Sequence, residues 1–185
     1  MTYFISDLHF GHRNILRFDC RPFSTIEEHD EYLISQWNDT VGTDDDVWIL
    51  GDISWYSALK TVIILKRLNG KKHLCIGNHD HKLVKSVDFQ HQFVEIVDYK
   101  EISFGDGTGV VLCHYPIPCY NKHFYNWYHL YGHVHATFEW TMIEDFQNQM
   151  REQHQKKSQM YNVGCMMKYM NYRPRTLEEI LEANN

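Results

Sequence analysis

His73-Leu74-Cys75-Ile76-Gly77-Asn78-His79-Asp80 decides how the chain is read. A short apolar run stops at a glycine, and three polar residues able to hold a metal or move a proton follow it. Four other runs share that form. Tyr3-Phe4-Ile5 ends at Ser6-Asp7-Leu8-His9, and Val47-Trp48-Ile49-Leu50 ends at Gly51-Asp52. Val110-Val111-Leu112-Cys113 ends at His114, and Leu130-Tyr131 ends at Gly132-His133-Val134-His135. Runs of this length, rich in β-branched and aromatic residues and bounded by Gly or Asp, predict buried strands.

Helical patterns lie between several of the runs. Thr25 with Glu28 reads as a capping box ahead of Leu33, Ile34 and Trp37 at helical spacing. Residues 57–68, closed by Gly70, predict a second helix with Leu59, Val62, Ile63, Leu65 and Leu68 on its buried side. Strand and helix alternate, which argues an α/β fold with largely parallel pairing. Chemistry in such sheets sits beyond the carboxyl ends of the strands, so all five polar termini are expected on one rim. Further on, residues 141–160 form a polar excursion with Ile143, Phe146 and Met150 at helical spacing, read as a surface helix or mobile segment without chemistry. Residues 162–166 predict another strand, and Thr176 with Glu179 caps a short last helix.

Composition narrows the function classes. With 185 residues, 43% hydrophobic and 23% charged, the chain suits a single folded domain over 1–185. No apolar run is long enough to cross a bilayer, and Asp7 interrupts the first run before it could form a signal-peptide core. A cytoplasmic location and no membrane partner are therefore expected. The net charge of −6 argues against bulk nucleic-acid binding through general positive charge. Five cysteines without a Cys-x-x-Cys pair suggest neither a disulfide framework nor a zinc ribbon. Thirteen histidines are an excess that needs a cause.

Gathered at one rim, Asp7, His9, Asp52, Asn78, His114, His133 and His135 offer more donors than one ion needs. They suit two, with His79 beside them. Asp7 and Asp52 working as general acid and base without metal would leave four converging histidines idle. The series Asp-Leu-His, Gly-Asp, Gly-Asn-His-Asp, a lone His after a strand, and Gly-His-Val-His occurs here in the order that marks the calcineurin-like metallophosphoesterases. The chain resembles the small single-domain bacterial or phage members of that family over residues 7–135.

That resemblance implies two packed, mixed β-sheets flanked by helices in four α-β-β-α layers. It implies that one divalent ion binds Asp7, His9 and His135, that a second binds Asn78, His114 and His133, and that Asp52 bridges them. The ligand types admit Mn, Fe, Zn or Ni, with Mn the expected activator. The implied reaction is hydrolysis of a phosphomonoester or phosphodiester, a hydroxide held by the metals attacking phosphorus while His79 faces the leaving oxygen. Asp80 or a backbone carbonyl would orient His79. A small phosphorylated substrate, a nucleotide among the candidates, is the expected partner.

Some residues depart from the pattern. Many relatives carry Gly-Asp-x-x-Asp, the later Asp pairing with the catalytic His, whereas Trp55 stands at that position here. Tyr56-Ser57 replaces the Arg-Gly of protein phosphatases, which argues against phosphoproteins as substrates. His12, Arg13 and Asn14 are candidates for substrate binding, with Arg21 more distant; an ordinary polar helix start is the equal alternative. The aromatic stretch 115–131 is read first as packing, then as a base-stacking loop or a homodimer contact. His123 and His129 within it are placed at the surface by default. Cys113 is read as a core residue. Two other classes are carried: a non-catalytic protein-binding scaffold, which retention of His79 and every ligand position argues against, and a nuclease, which the acidic charge disfavours.

Overall fold

The computed structural model describes residues 1–184, so the expected boundary at residue 185 lies outside the described residues. Among them, β1 (Thr2–Ile5), α1 (Ile15–Phe18), α2 (Ile26–Thr40), β2 (Asp46–Ile49), α3 (Ala58–Leu65) and β3 (Lys71–Cys75) come first. After a 3-10 turn at Asp80–Lys85 come α4 (Val87–Gln90), β4 (Glu95–Val97), β5 (Tyr99–Ser103), β6 (Gly109–Cys113) and β7 (Trp127–Tyr131). The chain closes with α5 (Phe138–His154), β8 (Met160–Asn162) and α6 (Leu177–Glu182). No helix among the described residues is long and apolar enough to cross a membrane.

Two four-stranded sheets result, in the orders β1-β2-β3-β4 and β5-β6-β7-β8, flanked by helices as an α/β sandwich. The first sheet is parallel throughout, while the second is mixed because β5 pairs antiparallel with β6. Alternation along β6 shows how the second sheet is used. Val110 and Leu112 join the core shared with β1, β2 and β3, and Val111 turns to a second cluster with Trp127, Tyr131 and Met160. Leu33, Ile34 and Trp37 of α2 with Val62 and Leu65 of α3 complete the main core.

Caps form where the sequence places them. Thr25 accepts from the Glu28 amide, and Thr176 with Glu179 closes a reciprocal capping box. Leu59 and Ile63 of α3 are exposed rather than buried. That helix is apolar almost all round, so spacing alone does not say which side faces the core, and Ile64 takes the buried place. The excursion is the ordered helix α5, with no fully buried residue; Trp140, Ile143 and Phe146 rest against the second cluster. The strand expected at 162–166 is displaced to β8, and the chain beyond it bridges Ser6 to Gly164. Through Ser6 N–H to Val163 O (2.8 Å) and Cys165 N–H to Ser6 O (2.8 Å), this bridge ties the end of β1 to the second sheet.

Candidate metal centre

The strand ends meet on one rim. Asp7 N–H donates to Gly51 O (3.1 Å) and His9 N–H to Asp52 O (3.0 Å), which sets the loop after β1 against the loop after β2. The motif glycines permit this approach. A Cβ on Gly51 would lie 2.6 Å from His114 Nδ1 at a backbone φ of +88°, and one on Gly132 would lie 2.0 Å from Ser6 Oγ. Asp7, His9, Asp52, His133 and His135 all hold the left-handed backbone that L-residues avoid, at a cost of order 1–3 kcal/mol each. Five strained positions among seven candidate ligands mark a functional rim rather than an ordinary set of turns.

The donor atoms converge. His9 Nε2 lies 3.1 Å from His135 Nε2, and Asp7 Oδ1 is 3.5 Å from His135 Nε2 and 3.9 Å from His9 Nε2. Asp52 Oδ2 stands 3.8 Å from His9 Nε2 and 3.7 Å from His114 Nε2, between the two sets. Asn78 Oδ1 lies 3.0 Å from His114 Nε2 and 2.9 Å from His133 Nδ1. Asp7, His9 and His135 are placed to hold a metal ion, as are Asp7, Asp52 and His114.

Imidazole tautomers test that fit. His114 Nδ1–H donates to Leu50 O at 2.7 Å, and a carbonyl can only accept, so in the neutral ring Nε2 carries the lone pair. It confronts Asn78 Oδ1 and Asp52 Oδ2, two further acceptors, an arrangement that a cation stabilises. Likewise His135 Nδ1–H donates to Asp19 Oδ1 at 2.7 Å, turning its Nε2 to Asp7 and His9. Burial works against a charged His135, yet the hydrogen bonds of Asp19 and Asp7 raise its pKa to about 10. Burial also pushes Asp7 up, but His135, His114 and His9 outweigh it and hold the carboxyl well below the usual range. This rim attracts positive charge. The residues fit a divalent metal.

Asp19, which the sequence did not mark, and Arg21, expected there as a distant substrate contact, hold this half in place. Arg21, buried, donates through Nε and Nη2 to Asp19 Oδ2 (3.0 and 2.8 Å), and through Nη2 and Nη1 to the carbonyls of Asp7 (3.0 Å) and Leu8 (3.2 Å). Arg21 therefore braces the Asp7 loop and Asp19 rather than reaching for substrate. No local signal separates Asp19 from any surface aspartate.

Other candidates fall where local chemistry sends them. Asp80 accepts the amides of Asp52 (2.8 Å), Ile53 (3.0 Å) and Gly77 (2.9 Å), so it clamps the loops after β2 and β3 instead of orienting the His79 ring. Burial, aided by the Asp52 charge, raises its pKa to about 6 against those hydrogen bonds. His79, half exposed, has Nε2 3.9 Å from Asp52 Oδ2, and its ring packs on Trp55 with centroids 4.1 Å apart. His12 stacks on the same indole at 3.9 Å. Arg13 turns away to Glu27 (3.7 Å), and Asn14 begins α1 without a side-chain cap, so neither joins the groove. Cys113 is buried, in keeping with a core role. Tyr120, Trp127 and Tyr131 pack inside, while Tyr115, Phe124 and Tyr125 are exposed. His129 is buried, not at the surface: Nδ1–H donates to Val111 O (2.9 Å) and Nε2 accepts from Ile117 N–H (3.0 Å).

The profile of the calcineurin-like phosphoesterases matches residues 2–169. The chain belongs to that family. This calcineurin-like phosphoesterase is 31% identical over 182 residues to the uncharacterized protein MJ1445 of Methanocaldococcus jannaschii, covering 97% of this chain and 89% of that one. It is 36% identical over 131 residues to the Gene 66 protein of Mycobacterium phage L5, covering 62% and 63% of the two. Among solved structures, the protein of unknown function AQ665 from Aquifex aeolicus superposes with a TM-score of 0.72 at 25% identity, over 99% of this chain and 98% of that one.

Proposed function

We propose that the protein is a phosphoesterase that uses two divalent metal ions to hydrolyse a small phosphomonoester or phosphodiester, nucleotides included. The observation that supports this most is the place of Asp52 Oδ2, 3.8 Å from His9 Nε2 and 3.7 Å from His114 Nε2, shared between two donor sets. Asp7, His9 and His135 would hold one ion, Asn78, His114 and His133 the other, with Asp52 common to both. Bound there, such ions would polarise a phosphoryl group and lower the pKa of water. Mn, Fe, Zn and Ni all suit mixed carboxylate, amide and imidazole donors.

The chain's own residues divide the remaining work. Asp52 Oδ1 accepts the His79 amide (3.0 Å), which fixes the loop that carries the imidazole, while the half-exposed ring remains free to meet an ester oxygen. In this reading His79 donates a proton to the departing oxygen. Hydrolysis of aryl phosphate mono- and diesters by protein supplied with Mn²⁺ tests the reading. Asp52→Asn should lose nearly all turnover along with bound metal, and His79→Ala should lower kcat by about 10²-fold or more while metal content is retained. Undiminished turnover in Asp52→Asn would refute the shared ligand.

A further inference from the structure

Resting on the phosphoesterase reading, we propose that the groove beside the metal centre binds a nucleobase against Trp55 and Phe18, so that the substrate is an ester of a nucleoside carrying a single phosphate. A cavity of about 420 Å³ takes in the centre itself, with His9, Asp52, Asn78, His79, His133 and His135 in its lining. The same lining includes His12, Ile15, Phe18, Trp55, Val134 and Glu139. Trp55 is 43% exposed and Phe18 60% exposed, although both adjoin one of the most polar places in the molecule. Large apolar side chains left open beside a polar centre mark a ligand-binding face.

This lining is already organised for flat groups. The His12 ring lies parallel to the Trp55 indole within 5° at 3.9 Å, and Phe18 meets His12 edge-on at 6.2 Å. Trp55 itself sets a stacking surface next to His79, the two ring centroids 4.1 Å apart. The charge pattern limits what else could enter. No Lys or Arg lines the groove, Arg13 being turned to Glu27, so a second phosphate finds no cation and meets Glu139 instead. A carboxylate in the same lining as the stacking rings suits the amino and ring N–H groups of a base, which can only donate.

Titration calorimetry on Mn²⁺-supplied protein, with the slowly hydrolysed adenosine 5′-phosphorothioate and ribose 5-phosphorothioate as probes, isolates the base. The adenosine compound should bind about tenfold or more tightly than the ribose compound, the usual worth of one stacked base. Trp55→Ala and Phe18→Ala should each bring that ratio toward one while ribose 5-phosphorothioate keeps its affinity, and Trp55→Phe should preserve the ratio. Equal affinities in the unaltered protein, absence of adenosine binding, or a ratio untouched by both alanine variants overturns the proposal. Hydrolysis of 4-nitrophenyl phosphate and of bis(4-nitrophenyl) phosphate is measured on the same samples. Loss of the ratio with hydrolysis intact removes the base site alone, whereas a preserved ratio without any hydrolysis removes the phosphoesterase reading and leaves the base site standing.

Discussion

His129 and His135 sit on one stretch of chain, both largely withdrawn from water, and their partners give them opposite characters. His129 is satisfied at both nitrogens by the backbone, donating to Val111 O and accepting from Ile117 N–H. Burial lowers its pKa to about 4, only partly opposed by the carbonyls of Val111 and Tyr115. It is a neutral spacer between β7 and the loop after β6. His135 instead gives Nδ1–H to an ionised carboxylate and leaves Nε2 among Asp7 and His9. The same side chain is a structural strut in one place and a candidate ligand in the other. What separates them is the second nitrogen, taken by the backbone in His129 and left among Asp7 and His9 in His135, whose anchor is a carboxylate that itself needs Arg21.

The greatest expected effect tests that dependence. Arg21→Ala would leave buried Asp19 with His135 as its remaining partner and the carbonyls of Asp7 and Leu8 without this donor, and breaking a buried ion pair in this way costs about 3–5 kcal/mol. Thermal unfolding should show Tm lowered by about 10 °C. Arg21→Lys should not restore it, because one ammonium cannot serve Asp19 and the carbonyls of Asp7 and Leu8 together. A Tm within a degree of the parent would show that His135 does not need its distant support.

Acid tests His129. Its ordinary pKa of 6.5 applies to the unfolded chain and about 4 to the folded one, so between these values the unfolded state binds more protons. The stabilisation is full above about pH 6.5 and falls away as pH drops toward 4, by about 3 kcal/mol in all. Urea unfolding at pH 7 and pH 4.5 should show the loss, and His129→Gln, whose amide can still donate once and accept once, should flatten it. In metal-stripped protein His135 should act with the other sign, its contribution present below pH 6.5 and lost as pH rises toward 10. Parallel acid profiles for His129→Gln and the parent would remove the contrast.

This pair also shows what was legible beforehand. The five buried runs announced themselves because strands enclosed by helices and a second sheet are apolar throughout, and each ended on a ligand-type residue. Glu95–Val97 and Tyr99–Ser103 did not, since β4 and β5 are sheet edges with Glu95, Lys100 and Glu101 facing outward or into ion pairs. At the rim, Asp7, His9, Asp52, Asn78, His114, His133 and His135 come together as their spacing after strands implied. Asp19, the bracing role of Arg21 and the burial of His129 were invisible because each depends on residues far along the chain. Trp55 was legible only as a departure, and its contact with His12 and His79 needed the fold.

The smallest effect separates the two halves of the centre most sharply. Asp19→Asn keeps an oxygen to accept from His135 Nδ1–H but loses the charge that raises imidazole basicity and holds Arg21. Loss of such an outer partner typically weakens metal affinity 10–100-fold. His114 is anchored instead by Leu50 O, a peptide group that the substitution does not reach, and Asn78 stays beside it. Metal titration of the variant should therefore show one affinity lowered by that factor and the other kept, so that a single ion remains bound at limiting Mn²⁺. If both affinities fell together, Asp52 would couple the halves more strongly than their separate anchors divide them. If neither changed, the carboxylate behind His135 would have no more influence than the carbonyl behind His114.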